Sequence, residues 1–410
     1  MTDAFPGCLP PEISCHRSNQ QRTDSTGCSG VRRILSVKPH AESLPRITNR
    51  HKGAWEKTMR TKTIFQNLIL VVAIPTILGA QSGSTVTYMP KHNELVYTFG
   101  GHPAKMHLAP GTTLITWTED CYDGAVKSPT DVPTKVIPPG HDNPQTGPFY
   151  IDGAEPGDAL AIHIIKLEPA LDYAISSSFP EFGALTTTYY TALLHDPLDE
   201  TVWFYKVDKA ANTVRYQALK SAHGVDLPMH PFLGCIGVAP ASGEVRSTIV
   251  PEAFGGNMDT WHASEGSTVY LPVNVPGALF SIGDGHLVEG SGEIIGTAVE
   301  SALNVTIKFD LVKKVYMSWP RIETDDYIMS VGSYRPLEDA ARIAYNDMVR
   351  WISKSYGMDL QDAYQLVSQT AESDLTQMVD PNYTVVVKVA KKYLPEGEVM
   401  QGVHANVRTN

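Results

Sequence analysis

Residues 270–286 read YLPVNVPGALFSIGDGH, and this stretch decides both the expected fold class and the place where chemistry is expected. Residues 278–282 are a short apolar run suited to a buried strand, and Gly-Asp-Gly-His follows at 283–286. The glycines predict a sharp turn there. Asp284 and His286 are two residues apart, so in extended backbone both side chains lie on one face, as a shared metal ion or proton requires. A polar hairpin turn without chemistry is the alternative interpretation.

Short β-rich runs separated by Gly, Pro, Asn and Asp continue on both sides of this stretch, from residue 85 to about residue 325. Residues 112–117 (TTLITW), 159–165 (ALAIHII) and 305–309 (VTIKF) are examples. Alternation and spacing of this kind are typical of a β-sandwich or barrel, and no helical period of useful length interrupts them. We therefore predict a mainly β protein, with a β-sandwich or barrel-like body over residues 81–325.

The pattern changes after Arg335. Pro336 suits a first helical turn, the acids at 338 and 339 suit its dipole, and apolar residues then recur at helical spacing until Gly357. A second helix is expected from residue 360 to about 371, and a strand over 384–389. These elements predict a small α/β unit at residues 326–395, packed on the body, followed by a flexible tail at 396–410.

Charge is distributed unevenly along the 410 residues, which carry a formal net charge of -11. Residues 1–80 hold eleven Lys and Arg against five acids, a net +6, which leaves -17 for residues 81–410. A body this acidic has no electrostatic attraction for nucleic acid or an anionic membrane surface, so neither is expected as a partner.

Residues 59–80, MRTKTIFQNLILVVAIPTILGA, have the layout of a secretory signal peptide: a basic start, an apolar centre and small residues at the end. Gln66, Asn67 and Pro75 shorten the apolar centre, which argues against a transmembrane anchor. Residues 1–58 show no apolar period, so we expect either a disordered or mis-assigned leader, or a true start at Met59. A start at Met59 predicts a secreted or periplasmic protein, free of the membrane once the signal is removed.

The cysteines and the absence of known nucleophile and zinc motifs limit which reaction mechanisms the sequence supports. Cys121 and Cys235 are expected either to form one disulfide or to remain buried thiols. The apolar neighbours of Cys235 keep a thiol protonated and unreactive. The sequence contains no GxSxG, no HExxH and no paired CxxC, so it shows neither the nucleophile motif of a serine hydrolase nor a familiar zinc motif.

Four more segments place acids or an imidazole among turn residues: 118–124 (TEDCYDG), 147–158 (GPFYIDGAEPGD), 229–237 (MHPFLGCIG) and 251–259 (PEAFGGNMD). Each alone is typical of a turn, and residues 156–158 in particular suit a hairpin. Together, many carboxylates and few histidines suit a divalent ion bound by oxygen and one or two nitrogens, with Zn, Mn or Fe compatible.

Several of these segments, taken in order and spacing, resemble the acetamidase/formamidase family of amide hydrolases. They are residues 143–158 (NPQTGPFYIDGAEPGD), 230–240 (HPFLGCIGVAP), 255–259 (GGNMD), 270–286, 298–306 (AVESALNVT) and 362–382 (DAYQLVSQTAESDLTQMVDPN). The resemblance covers about residues 90–395. It implies a mainly β fold with a small α/β piece, cleavage of the C–N bond of a small linear amide to ammonia and a carboxylate, and a homo-oligomer. Some relatives are metal-containing, and some act on cyclic amides.

One departure from the family concerns residues 289–293, which read EGSGE. The family usually has Gln-Gly-Asp-Gly-Glu after Gly-Asp-Gly-His, so Ser291 stands where an Asp is usual. The change either removes a metal ligand or only alters a hairpin.

These observations lead to a hypothesis about the site. The metal ligands are expected to be Asp284, His286, Asp259 and Asp120, with zinc as the favoured ion. The ion would polarise the amide carbonyl and lower the pKa of a bound water. Glu155 or Glu293 is expected to carry the proton to the departing nitrogen, and Glu155 is also a possible ligand. Backbone amides around Gly255-Gly256-Asn257 are expected to stabilise the oxyanion.

Two alternatives stay open. One is a secreted, non-catalytic β-sandwich that binds sugar or metal, motivated by Ser291 and the unusual amino-terminal region. The other is a lactam or ester hydrolase that uses the same site.

Overall fold

A computed structural model of the chain describes residues 83–180, 182–185 and 198–409. The leader (1–58) and the signal peptide (59–80) predicted above lie outside the described residues. Among the residues described, no helix combines the length and apolar character needed to cross a bilayer.

Strands dominate the described residues, as predicted. In chain order the strands are β1 (Thr85–Thr87), β2 (Thr98–Phe99), β3 (Met106–Leu108), β4 (Thr113–Thr118), β5 (Gln145–Ile151), β6 (Ala159–Pro169), β7 (Tyr173–Ser178), β8 (Thr201–Asp208), β9 (Thr213–Gln217), β10 (Gly224–Pro228), β11 (Phe232–Gly237), β12 (Arg246–Ser247), β13 (Gly255–Asn257), β14 (Thr268–Pro272), β15 (Phe280–Val288), β16 (Val299–Glu300), β17 (Leu303–Val312), β18 (Arg321–Glu323), β19 (Tyr327–Tyr334), β20 (Glu372–Gln377) and β21 (Tyr383–Ala390). The helices are α1 (Pro133–Val136), α2 (Leu337–Tyr356), α3 (Leu360–Thr370) and α4 (Val403–Thr409).

Two large sheets pack face to face. One has nine strands in the order β1-β4-β17-β6-β14-β18-β19-β21-β20. The other has ten, with β10-β9-β8-β7-β16-β15-β11-β13 in a row and β5 and β3 joined to β15. Leu160 and Ile162 of β6 share one apolar core with Phe280 and Ile282 of β15, so the core lies between the sheets. The body is therefore a β-sandwich, as the sequence predicts.

Helices cover the other face of the nine-stranded sheet. In β21, Val386 belongs to the core between the sheets, whereas Val385 and Val387 pack in a second core with Ala344 and Ile352 of α2. Successive side chains of a strand point to opposite faces, so a strand covered on both sides is apolar throughout.

The predicted helix boundaries are close to those observed. Pro336 immediately precedes α2, and Gly357 ends it with a left-handed φ of 63°. The expected second helix corresponds to α3 and the expected strand to β21. Local turn and capping residues therefore predicted this region well.

The region predicted as residues 326–395 shares its sheet with the body. β19 pairs with β18, and β21 pairs with β19, so these strands extend the nine-stranded sheet instead of packing against it as a separate layer. Within the predicted tail at 396–410 the structure has α4, which buries Val403, His404 and Val407. Val403 and Val407 are four residues apart, a spacing that places both on one helix face.

The predicted turn at residues 283–286 is also wrong, because β15 runs through all four residues, with β11 on one side and β16 on the other. The glycines instead permit close packing: a Cβ at Gly285 would lie 2.4 Å from the carbonyl oxygen of Ser301. The chain reverses direction earlier, where Ala278 and Leu279 have φ angles of 59° and 55°.

Candidate active site

The strand β15 places Asp284 and His286 side by side in the interior. Asp284 Oδ2 and His286 Nε2 are 3.3 Å apart, and both side chains are buried. Asp284 has a left-handed φ of 59° within the strand. That conformation is costly for a residue with a side chain, and such residues cluster at functional sites.

Asp259 and Gly234 complete this arrangement. Asp259 follows β13 by two residues, and its Oδ1 lies 4.0 Å from His286 Nε2. A Cβ at Gly234 of β11 would lie 2.6 Å from Asp284 Oδ2, 2.8 Å from Asp259 Oδ1 and 2.9 Å from His286 Nε2. Two carboxylates and an imidazole therefore converge on the space that the missing side chain leaves open. Asp259, Asp284 and His286 are called the first donor group below.

Three glutamates surround the same imidazole. Glu289 Oε2 is 2.8 Å from His286 Nδ1. Glu300 is paired with His286 across β15 and β16, and its Oε2 is 3.2 Å from Nε2. Glu293 is buried with a left-handed φ of 46°, and the donor atoms of Glu289, Glu293 and His286 lie within 4.8 Å of one another.

An amide network holds the carboxylates from the opposite side. Asn257 Nδ2 donates hydrogen bonds to Asp259 Oδ2 at 3.0 Å and to Asp380 Oδ2 at 2.8 Å. Asn143 Nδ2 donates to Asn257 Oδ1, and Gln145 Nε2 donates to Asn143 Oδ1 at 3.1 Å. Each amide is oriented by the next, so the direction in which Asp259 presents its other oxygen is fixed.

The site concentrates negative charge away from water. Six buried carboxylates surround one imidazole: Asp259, Asp284, Glu289, Glu293, Glu300 and Asp380. Burial raises the pKa of Glu289 to about 7 and that of Asp380 to about 8, and it raises the pKa of Glu293 well above its usual range. Burial opposes a charged imidazole, but the negative charges of Glu300 and Asp284 outweigh it and raise the pKa of His286.

This donor set fits a divalent cation. Three carboxylate oxygens, Asp259 Oδ1, Glu289 Oε1 and Glu300 Oε2, are buried without a hydrogen-bond partner. Leaving such an atom unpaired costs about 1–3 kcal/mol or more for a charged group, and a cation would relieve that cost. Carboxylate oxygens and an imidazole nitrogen are ligands that suit zinc, manganese or iron.

A cavity of about 280 Å³ lies beside the acids. Glu289 and Glu293 line it together with the apolar side chains of Val288, Ile295 and Val299. The acidic groups therefore border a space large enough for a small organic molecule.

Comparison with known proteins identifies the family. The model of the acetamidase/formamidase family matches residues 100–247 and 241–393. This chain belongs to that family. Its members are amidases that act on carbon–nitrogen bonds other than peptide bonds in linear amides, the enzyme class that the sequence predicts.

Individual acetamidases and formamidases share both sequence and fold with this chain. The crystal structure of an acetamidase from Yersinia enterocolitica is 40% identical, with a TM-score of 0.72, over 77% of this chain and 95% of that one. The acetamidase of Mycolicibacterium smegmatis is 25% identical over 267 residues, 52% of this chain and 64% of the relative. The formamidase of Methylophilus methylotrophus is 25% identical over 221 residues, 41% of this chain and 51% of the relative. The chain thus matches between about half and two thirds of the length of these last two relatives.

Two residues predicted for the amidase site lie outside the first donor group. Asp120 is buried, but its Oδ1 accepts hydrogen bonds from the amides of Tyr122 at 2.9 Å and Gly124 at 3.1 Å, so it stabilises its own turn. The side chain of Glu155 is 77% exposed and lies 3.7 Å from Lys313 at the surface. Turn residues have the same composition on the surface and in a site, so the sequence could not distinguish the surface position of Glu155 from a position in the site.

The roles predicted around Asn257 and Ser291 are also corrected. The amide of Gly255 donates to the carbonyl of Glu252 at 2.9 Å, so it is not free to bind an oxyanion. Asn257 acts through its side chain, as a positioning residue for Asp259. Ser291 is exposed and lines the same cavity as Glu289 and Glu293, so the departure from the family pattern lies at the edge of the candidate site and leaves the buried donors in place.

The sequence did not mark four residues of the candidate site as site residues: Glu289, Glu300, Asp380 and Cys121. Glu300 lies in a segment that carried the family resemblance, yet nothing local marks it as facing His286. Cys121 and Cys235 are free thiols rather than a disulfide. Cys235 is buried with Sγ 3.2 Å from the carbonyl oxygen of Thr248, whereas Cys121 lies near Asp284 and Glu300.

Proposed function

We propose that this protein hydrolyses the C–N bond of a small linear amide, giving ammonia and a carboxylate. The observation that carries the proposal is the buried set of carboxylates around His286, which borders a cavity of about 280 Å³ in a chain of an amidase family. Formamide and acetamide are the proposed substrates.

The first donor group would hold a divalent ion, and zinc is our proposal for its identity. When bound, such an ion supplies Lewis acidity that polarises an amide carbonyl and lowers the pKa of water. Three protein donors leave room for a water molecule or substrate oxygen, as in other catalytic sites. Glu289 accepts from His286 Nδ1, which orients the ring so that Nε2 faces Asp284.

Glu293 is the proposed proton carrier. It is buried, it borders the cavity, and burial together with the charge of Glu289 raises its pKa well above the usual range. A carboxyl group with a raised pKa accepts a proton from water and returns it near neutral pH. The departing nitrogen needs that proton, because an amide anion is too poor a leaving group to go unprotonated.

Ammonia release tests the proposal. Zinc-loaded protein is expected to release ammonia from formamide or acetamide, and Glu293→Gln is expected to lose that activity while keeping its metal. Glu155→Gln is the matched control, since Glu155 is an exposed carboxylate outside the site. A panel that adds a cyclic lactam and an ester separates amidase from lactamase or esterase activity. No product from any of these substrates would contradict the proposal and favour a non-catalytic binding protein.

Two more proposals rest on sequence and family resemblance. Residues 59–80 are proposed to direct export to a periplasmic or extracellular location, and sequencing of the amino terminus of the mature protein would test this. The protein is also proposed to form a homo-oligomer, and light scattering from purified protein would show a single-chain mass if that is wrong.

A further inference from the structure

A second group of metal-binding atoms lies beside the first. One donor atom each from Cys121, Asp284 and Glu300 lies within 4.8 Å of the other two. Asp284 is thus a member of both groups. Cys121 follows β4, and its carbonyl oxygen accepts a hydrogen bond at 2.9 Å from the amide of Asn143, a residue of the amide network.

Glu300 supplies independent evidence for a ligand at this position. Its Oε1 accepts a hydrogen bond at 2.6 Å from the amide of Ala298, which anchors the carboxylate. Its Oε2 accepts no hydrogen bond among the described residues and faces His286 Nε2 at 3.2 Å, although the residue is only 1% exposed. A buried carboxylate that is anchored through one oxygen and shares the other with an imidazole nitrogen is arranged to bind a cation together with that imidazole.

The donor types of this second group also suit a divalent ion. A thiolate is a strong ligand for zinc and cobalt, and binding releases the thiol proton.

We infer that the protein has a second divalent-cation site, formed by the Cys121 thiolate, Glu300 and Asp284. Asp284 belongs to both donor groups, so its carboxylate would be available to both ions. Shared carboxylates of this kind hold metal pairs about 3.5–4 Å apart in hydrolytic enzymes. The inference rests on the metal centre of the proposed function, but not on amide turnover.

Cobalt substitution tests this site without an activity assay. Metal-free full-length protein is reloaded with Co²⁺, and two quantities are measured: cobalt bound per chain, and the near-ultraviolet charge-transfer absorption that a thiolate–cobalt bond produces. Cys121→Ser is compared with Cys235→Ser, the matched control, whose buried hydroxyl can replace the thiol bonded to Thr248. Cys8, Cys15 and Cys28 are present in every variant, so only differences between variants are interpreted.

We expect Cys235→Ser to match the wild type and Cys121→Ser to bind one cobalt fewer and lose most of the charge-transfer band. Glu300→Gln, which keeps the side-chain volume and the acceptor for Ala298, gives a second route to the same result and should also bind one cobalt fewer. Equal cobalt and equal absorption in Cys121→Ser and Cys235→Ser would overturn the inference. The ammonia assay is scored separately, so a failed second site and a failed amidase are distinguishable.

Discussion

Replacing Gly234 with alanine should eject the metal from an otherwise folded protein. Ordinary contact to a Cβ begins at 3.4 Å, so the methyl group would require Asp284 Oδ2 to move by about 0.8 Å, Asp259 Oδ1 by 0.6 Å and His286 Nε2 by 0.5 Å. Metal–ligand distances tolerate only about 0.2 Å. Misplacement of reacting groups by about 1 Å costs on the order of 100-fold in rate. We therefore expect kcat/KM to fall at least about 100-fold, with metal content close to zero.

The effect on folding should be much smaller. Gly234 does not have a left-handed φ, so alanine fits its backbone, and overpacking costs about 1–3 kcal/mol. Elemental analysis, ammonia release and urea unfolding measure the three quantities. Gly290→Ala is the control, because a Cβ there would have no heavy atom within 4 Å. Normal metal content and activity in Gly234→Ala would show that Asp259, Asp284 and His286 do not bind one metal ion beside Gly234.

Three other perturbations give distinct outcomes. Glu293→Gln should lower kcat by about 10²–10⁴-fold at unchanged metal content, with Glu155→Gln near wild type; equal activity in both variants would rule out Glu293 as the proton carrier. Removing the metal with a chelator should abolish ammonia release and lower the melting temperature, and added zinc should restore both. An ion whose free concentration is 1,000 times its Kd stabilises the folded state by about 4 kcal/mol. A melting temperature indifferent to chelator would argue against a bound ion. Burial, with the charges of His404 and Arg408, lowers the pKa of His163 to about 4. As the pH is lowered, the His163 imidazole therefore takes up a proton in the unfolded chain before it does so in the folded protein. The free energy of unfolding should fall by about 2 kcal/mol between pH 6.5 and pH 4, after allowance for solvent screening. Urea unfolding at the two ends of that range should show a shallower loss for His163→Gln, and an unchanged slope would contradict this assignment.

The fold was predictable where short-range patterns determine structure. Alternating apolar residues indicated strands, and Pro336 and Gly357 marked the ends of a helix that the structure confirms. The extent of the sheets was not predictable, because it depends on which distant strands pair. The misassigned turn at 283–286 shows this limit, since glycines that permit close packing inside a sheet look the same in sequence as glycines in a turn.

The residues of the candidate site were likewise predictable only where a local pattern marks them. Asp284 and His286 were recognisable as a pair because two residues of extended backbone place them on one face. Glu300 was not, because it reaches His286 only through the pairing of β15 with β16. Asp380 was not either, since it joins Asn257 from the connection between β20 and β21. Contacts between residues so far apart in sequence follow from topology and leave no local pattern.

The position of Asp380 in the sequence determines when the candidate site is completed during protein synthesis. It reaches the interior from the hairpin of β20 and β21, whereas Cys121 comes from near the start of the described region. A nascent chain that does not yet include this hairpin therefore lacks Asp380, even where its earlier strands have already formed. A premature stop codon anywhere upstream of that hairpin should yield a product with no hydrolytic capacity, even one that retains most of the sandwich.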